Sequence, residues 1–110
     1  MAFVLVVDDE EGICGLVRKV LESGGHDVET AVTGVGALAA VLMREPDVVL
    51  LDVKLSDWDG LELARKLRAD LPRTRVVLMP GVLTRPEDVG FEVLQKPFSI
   101  SDLLRAAGGI

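Results

Sequence analysis

The sequence has little of several features on which whole classes of proteins depend. It has a single cysteine, Cys14, so an internal disulfide is excluded. No apolar run approaches the roughly 20 residues that a membrane-spanning helix needs. No basic segment precedes the apolar stretch at the N-terminus, so residues 1–7 are interpreted as a strand and not as a signal peptide. Together these absences predict a cytoplasmic protein with no membrane insertion and with Cys14 reduced and buried.

Positive charge is also scarce. Twelve Lys and Arg residues stand against 18 Asp and Glu residues, which gives a net charge of −6. Because neither Lys nor Arg is in excess on any segment, direct binding to nucleic acid or to an anionic membrane is not expected. The hydrophobic share of 49% is typical of a compact domain, and the length predicts one domain over residues 1–110.

Short apolar runs alternate with amphipathic segments along the whole chain. The runs predict strands over residues 3–7, 28–31, 47–52, 75–79 and 92–95, and the segments between them carry apolar residues at helical spacing. Between residues 80 and 92 proline and glycine interrupt the pattern, so the helix before the last strand is expected to be short, irregular or absent. Parallel strands need helical crossovers, so the chain is predicted to form an α/β fold with a doubly wound, five-stranded parallel sheet.

Charged side chains stand where three of these strands end. Asp8 and Asp9 follow the first strand, Asp52 ends the third, and Lys96 follows the fifth. The carboxyl ends of parallel strands meet at one sheet edge, which is where open α/β sheets bind ligands. Any one of these aspartates could be only a turn former. Together, three crowded carboxylates and an amine indicate a divalent cation and phosphate chemistry.

The segments that hold these residues resemble the receiver domain of bacterial two-component response regulators, the CheY-like family. They are VVDDE at residues 6–10, LLDVKLSDWDG at 50–60 and QKPF at 95–98. The resemblance covers essentially the whole chain and implies the flavodoxin-like strand order 2-1-3-4-5. It also implies that Asp52 is the phosphoacceptor, with a histidine kinase or a phosphotransfer protein as donor.

The resemblance further implies the ligands of the site. Asp9, Asp52 and the main-chain carbonyl of Lys54 would hold Mg²⁺ directly, while Asp8 would act mostly through bound water. Lys96 would pair with a phosphoryl oxygen, and the peptide bond that follows it would be cis.

Two positions depart from the family pattern. Pro80 stands where receivers usually carry Ser or Thr at the end of the fourth strand, and Val93 replaces an aromatic residue. Proline cannot donate a hydrogen bond, although the main-chain N–H of Gly81 could still approach a phosphoryl oxygen. We therefore expect the usual switch to be rebuilt or lost. The short segment before Lys96 also resembles receivers fused to the C-termini of hybrid sensor histidine kinases.

Other residues have ordinary explanations beside functional ones. Asp57 and Asp59 are explained by turn formation or by capping of the next helix, and neither is assigned to the metal. The side chain of Lys54 could pair with a phosphoryl group or simply be exposed. Trp58 could lie near the site or contact a partner. His26 follows two glycines and is interpreted as a turn residue, not as a phosphotransfer group.

The leading prediction is a phosphoacceptor receiver whose only chemistry is its own phosphorylation and dephosphorylation. Its output would be binding to a downstream protein or fused domain, with homodimer formation left open. A docking module or phosphate sink is the alternative, favoured by Pro80 and Val93. A third reading is a phosphohydrolase of the haloacid dehalogenase kind, but those enzymes carry a second aspartate where this chain has Lys54.

Overall fold

Strands and helices alternate in the computed structural model, which describes residues 1–81 and 90–108. The strands in these residues are β1 (Phe3–Val7), β2 (Asp27–Ala31), β3 (Val48–Asp52), β4 (Arg75–Met79) and β5 (Glu92–Val93). The helices are α1 (Glu11–Ser23), α2 (Gly34–Met43), α3 (Gly60–Asp70) and α4 (Ile100–Ala106). The expected irregular helix between β4 and β5 lies outside the described residues.

All strand pairs in the sheet are parallel, and the strand order is β2-β1-β3-β4-β5. Val7 of β1 is in register with Leu51 of β3, and Asp52 is in register with Met79 of β4. The carboxyl ends of the strands therefore lie at one edge of the sheet. The predicted fold class and strand order are confirmed.

The sheet separates two apolar cores, because successive side chains of a strand point to opposite faces. Val4, Val6 and Leu50 pack with α1 and α4 on one face, and this core includes the predicted buried Cys14. Leu5 and the other alternate residues of β1 and β3 pack with α2 and α3 on the opposite face. Every residue of β1 and β3 is buried, which explains why their sequences are continuously apolar.

Two helices begin at side-chain caps, and one of the capping residues, Asp59, was a candidate from the sequence. Asp59 Oδ1 accepts a hydrogen bond from the backbone N–H of Leu61 at 2.8 Å at the start of α3. Ser99 and Asp102 form a capping box at the start of α4, with each side chain bonded to the backbone of the other.

The last strand is shorter than predicted, with two residues in place of residues 92–95. The backbone N–H of Leu94 still donates to the carbonyl of Leu78, at 2.7 Å. In a parallel ladder the carbonyl of Leu94 would in turn accept from the N–H of residue 80. Residue 80 is proline and has no N–H, so this one bond is missing, although the backbone N–H of Lys96 again donates to the carbonyl of Pro80, at 3.1 Å.

Helix α2 differs from the others in that it carries no charged residue. Its apolar pattern therefore does not distinguish a buried face from an exposed one, and Leu42 and Met43 are 86% and 87% exposed. No helix in the described part of the chain combines the length and hydrophobicity needed to cross a bilayer.

Candidate functional site

Asp8 and Lys96 form the best-defined contact at the carboxyl edge of the sheet. Asp8 follows the buried strand β1 directly, and its side chain is fully buried. One carboxylate oxygen accepts the backbone N–H of Glu10 at 2.9 Å, and the other accepts from Lys96 Nζ at 2.8 Å. A buried carboxylate requires a charged or hydrogen-bonding partner, and Lys96 is that partner. It follows β5, the edge strand that β3 and β4 separate from β1.

Asp52 shares the same lysine. It is the last residue of β3, and its side chain is only 9% exposed. Its Oδ1 accepts the backbone N–H of Lys54 at 3.3 Å and lies 3.8 Å from Lys96 Nζ. The second distance is an ion-pair contact but too long for a hydrogen bond. Lys96 therefore lies between the carboxylates of Asp8 and Asp52.

The protonation of these groups reflects crowded negative charge. Burial raises the pKa of Asp52, and the nearby charge of Asp8 raises it further, although the Lys54 N–H opposes both. Burial on its own would lower the pKa of Lys96, but its hydrogen bond to Asp8 and the charge of Asp52 outweigh that and raise it. Lys96 thus stays charged, yet one cation does not balance the surrounding carboxylates.

Among residues 1–81 and 90–108, a group of three consecutive acidic residues is the strongest candidate for binding a metal ion. Asp8, Asp9 and Glu10 can each place a carboxylate oxygen within 4.8 Å of the others. Asp9 and Glu10 are exposed, so their oxygens remain accessible at the sheet edge. Hard carboxylate oxygens together with surplus negative charge fit Mg²⁺. Asp52 is not part of this group, but it contacts the same Lys96 as Asp8.

Glu10 is the member of this group that the sequence pattern did not single out. It follows Asp9 directly, so the signal was the unbroken run of three acids after β1. Its backbone N–H also anchors Asp8.

The end of β4 forms the other side of the site. Pro80 is buried, whereas Gly81 is exposed. The side-chain amide of Gln95 donates to the carbonyl oxygens of both residues, at 3.1 Å and 2.8 Å. Val93 lies on the edge strand β5 and is 37% exposed. The peptide bond between Lys96 and Pro97 is cis, as the family resemblance implied.

The loop after β3 is attached to helix α2, which was not expected. The two carboxylate oxygens of Asp57 accept the backbone N–H groups of Gly34 and Val35, at 2.8 Å and 3.0 Å. Asp57 therefore caps α2, which precedes it in sequence, and not the next helix. These bonds from Val35 and Gly34 lower the pKa of Asp57.

Trp58 packs at the same point as Asp57. A β-carbon on Gly34 would lie 2.5 Å from the Trp58 ring, so the close contact requires glycine there. The side chain of Lys54 is exposed, and its backbone pairs with Asp59 in an isolated bridge. The loop thus reaches from Asp52 to the start of α2.

His26 lies away from this edge. Its Nδ1 accepts the backbone N–H of Ala2 at 3.0 Å, next to the start of β1. The amino ends of parallel strands lie opposite the carboxyl edge, so the turn interpretation of His26 fits its position.

The sequence of residues 4–107 matches the response regulator receiver domain family. The chain belongs to this family. The probable transcriptional regulatory protein TcrX of Mycobacterium tuberculosis is 36% identical over 107 residues, which cover 92% of this receiver and 46% of TcrX. The response regulator MprA of Mycobacterium sp. strain KMS is 38% identical with the same coverage. The receiver spans about half the length of these curated relatives.

A solved structure supports the same assignment. The receiver domain of NtrX from Brucella abortus is 33% identical, and the match covers 96% of this receiver and 94% of that chain, with a TM-score of 0.87. The receivers of two-component response regulators are signalling domains, and this is the class of function to which the chain belongs.

Proposed function

We propose that this receiver accepts a phosphoryl group on Asp52 from a phosphohistidine donor, with Mg²⁺ bound at the acidic cluster. The observation that carries the proposal is the position of Lys96 Nζ, 2.8 Å from Asp8 and 3.8 Å from Asp52. In phosphoryl transfer, the nearly buried carboxylate of Asp52 would be the nucleophile, and the amine of Lys96 would supply part of the positive charge that the reaction needs.

In the proposed reaction, a carboxylate oxygen of Asp52 forms a bond to phosphorus while the bond from phosphorus to the donor imidazole nitrogen breaks. The electron pair of that bond returns to the imidazole, which takes up a proton from water. The phosphoryl oxygens bring negative charge to a site that already repels it. Lys96 can donate to one of them with a small displacement, because it already lies beside Asp52.

Asp8, Asp9, Asp52 and the carbonyl of Lys54 are the proposed metal ligands, and Glu10 is close enough to Asp8 and Asp9 to contribute. The ion would neutralise the phosphoryl charge and fix its orientation. The side chains of Asp9 and Glu10 leave the site open to solvent on that side. The Lys54 N–H also restrains the Asp52 carboxylate, through the oxygen that Lys96 approaches.

The downstream step is proposed to be contact with a partner protein or a fused domain. TcrX is described as a probable transcriptional regulatory protein, and this receiver aligns with about half of it. The receiver itself carries a net charge of −6, so we expect its partner surface to be protein and not nucleic acid. The resemblance to receivers of hybrid kinases stays a prediction.

A mass measurement tests the phosphoacceptor. Wild type and Asp52→Asn would be incubated with Mg²⁺ and acetyl phosphate, and the intact mass of each recorded. We expect one phosphoryl adduct on wild type and none on Asp52→Asn. Asp57→Asn is the matched control, because it changes an aspartate of the neighbouring loop that binds α2 and should still be phosphorylated. An adduct on Asp52→Asn, or none on wild type with any donor including its kinase, would contradict the proposal.

A second candidate is a phosphate sink or docking module that is phosphorylated without switching. It is favoured by Pro80, which has no hydroxyl group at the end of β4, and by Val93, which is not aromatic. Amide hydrogen exchange with and without phosphorylation separates the two. A sink would change protection only around Asp52, while a switching receiver would also change it in residues 90–96.

A further inference from the structure

The side chain of Gln95 connects the end of β4 to the segment that leads into Lys96. Its Nε2 lies 2.8 Å from the carbonyl oxygen of Gly81, 3.1 Å from that of Pro80 and 3.3 Å from that of Lys96. Carbonyl oxygens only accept hydrogen bonds, so the amide nitrogen, and not the amide oxygen, must face them. An exposed glutamine thus contacts three backbone groups at the rim of the phosphoacceptor site.

The Pro80 carbonyl is held from one direction by two donors. Besides Gln95 Nε2, the backbone N–H of Lys96 donates to it at 3.1 Å. Both donors belong to the segment that follows β5, so this carbonyl points toward the β5 side of β4. The Pro80–Gly81 peptide is trans, and in a planar trans peptide the C=O and the N–H point in opposite directions.

The Gly81 N–H therefore points away from β5. The other neighbour of β4 is β3, whose last residue, Asp52, is in register with Met79. A phosphoryl group on Asp52 would extend beyond the carboxyl end of β3, which is the side that the Gly81 N–H faces. Pro80 has no N–H or hydroxyl, so Gly81 offers the nearest following donor of this segment.

Gly81 needs a restraint from outside its own backbone. Its φ is not in the positive range, and a β-carbon there would meet no atom of the described residues within 4 Å, so neither strain nor packing against these residues fixes its conformation. Glycine loses more freedom on ordering than other residues. A hydrogen-bond donor stabilises developing charge best when it is already oriented. Gln95 bonds to the carbonyls on both sides of this N–H and supplies that restraint.

We infer that Gln95 is a positioning residue, which orients the Gly81 N–H toward the phosphoryl group on Asp52 while touching neither the phosphoryl group nor Asp52. This inference rests on the proposed function, since it has meaning only if Asp52 is phosphorylated. It assigns the role of the missing hydroxyl at residue 80 to a backbone N–H held by a glutamine.

The test uses two variants of Gln95. Gln95→Met keeps the length of the side chain but removes the donor. Gln95→Glu keeps the shape and replaces the donor by a carboxylate, which repels the same three carbonyls. Glu29→Met is the matched control, because Glu29 is an exposed residue of β2, at the opposite edge of the sheet.

The first readout is the rate constant of phosphorylation by acetyl phosphate with saturating Mg²⁺. We expect it to fall about tenfold in Gln95→Met, below the loss for removal of a direct donor, and further in Gln95→Glu. The second readout is the ¹⁵N–¹H signal of Gly81 on addition of beryllium fluoride, a phosphoryl mimic. It should shift downfield in wild type and in Glu29→Met, and shift by less than half as much in the Gln95 variants.

A purely structural role would change the thermal midpoint and leave the Gly81 shift intact, which would overturn the inference. Rates within twofold of wild type in both variants would also overturn it. If wild type itself is never phosphorylated, the proposed function fails and the inference with it. If wild type is phosphorylated and only the expected effects of the Gln95 variants are missing, the inference alone fails.

Discussion

The two sides of the proposed phosphoacceptor site are built very differently. On one side, Asp8 and Asp52 extend from β1 and β3, central strands in which every residue is buried. On the other side, Pro80 and Gln95 lie beside β5, a two-residue strand at the edge of the sheet whose residues are both exposed. The first side places charge on a rigid frame, while the second depends on a few hydrogen bonds.

We expect this difference to separate the proposed phosphoryl-transfer chemistry from the conformational change that would signal it. The proposed nucleophile and metal ligands need fixed positions, and the buried centre of the sheet provides them. A surface that reports phosphorylation must change at low cost, and low local stability is typical of such segments. The comparison predicts that substitutions on the first side cost more than substitutions on the second.

The largest effect is expected for Lys96→Met, because Lys96 follows β5 but its amine pairs with the Asp8 carboxylate of the first side. It removes the partner of the fully buried Asp8 carboxylate and should lower the free energy of unfolding by about 1–3 kcal/mol, the range for an unsatisfied buried group. Urea unfolding at neutral pH measures it. Lys66→Met is the control, since the ion pair of Lys66 with Asp70 is exposed and should contribute little. Equal losses for the two variants would contradict the comparison.

Asp57→Ala is expected to have a smaller effect that depends on pH. The pKa of Asp57 is lowered in the folded state by the Val35 and Gly34 N–H groups. Its charge therefore stabilises the fold above the unfolded-state pKa, which is about 4, and this stabilisation is lost as the pH falls through the lower folded value. Urea unfolding of both proteins from pH 7 to pH 2 should show their difference shrinking in that acidic range. A difference that stays constant would assign the loss to side-chain packing.

Pro80→Ala tests the missing ladder bond between β4 and the segment after β5. The new N–H can donate to the carbonyl of Leu94 and fill the gap between the bonds of the Leu94 and Lys96 N–H groups, a gain of about 1 kcal/mol. Loss of the proline restraint on the unfolded chain offsets a similar amount, so the net change should stay below about 1 kcal/mol. Hydrogen exchange should show the amide of residue 80 protected. A fast-exchanging amide there would mean that another constraint prevents this bond.

The smallest effect is expected for Glu92→Gln. Glu92 pairs with Arg75 through two hydrogen bonds, at 2.7 Å and 2.9 Å, but both side chains are substantially exposed. Exposed pairs contribute about 0–1 kcal/mol, so we expect a loss of about 0.5 kcal/mol or less in urea. A loss as large as that of Lys96→Met would mean that the edge is held as firmly as the centre.

The parts of the fold and site that follow from local patterns were predictable. Buried strands leave continuous apolar runs, and the residues at their ends are therefore easy to locate, which placed Asp8, Asp52 and Lys96 at one edge. The strand order came from the family resemblance and is confirmed. The role of each site residue remains a prediction until phosphorylation is measured.

The parts that were missed depend on contacts between distant segments. Asp57 caps a helix that begins 23 residues earlier, so no pattern around Asp57 could name its partner. The missing ladder bond to the Leu94 carbonyl depends on Pro80, which lies on the neighbouring strand and not near Leu94 in sequence. Leu42 was part of an apolar pattern but is exposed, because α2 has no charged residue to mark its outer face.

The short strand β5 has a further consequence for how the molecule behaves at high concentration. An exposed strand edge is a template on which another chain can add a strand and start an aggregate. Here that edge is two residues long, carries the charged pair of Glu92 and Arg75, and meets a proline on the adjacent strand. The β5 segment, which we expect to rearrange, is thus also a poor nucleus for intermolecular β-sheet. A change of conformation there should therefore not promote aggregation.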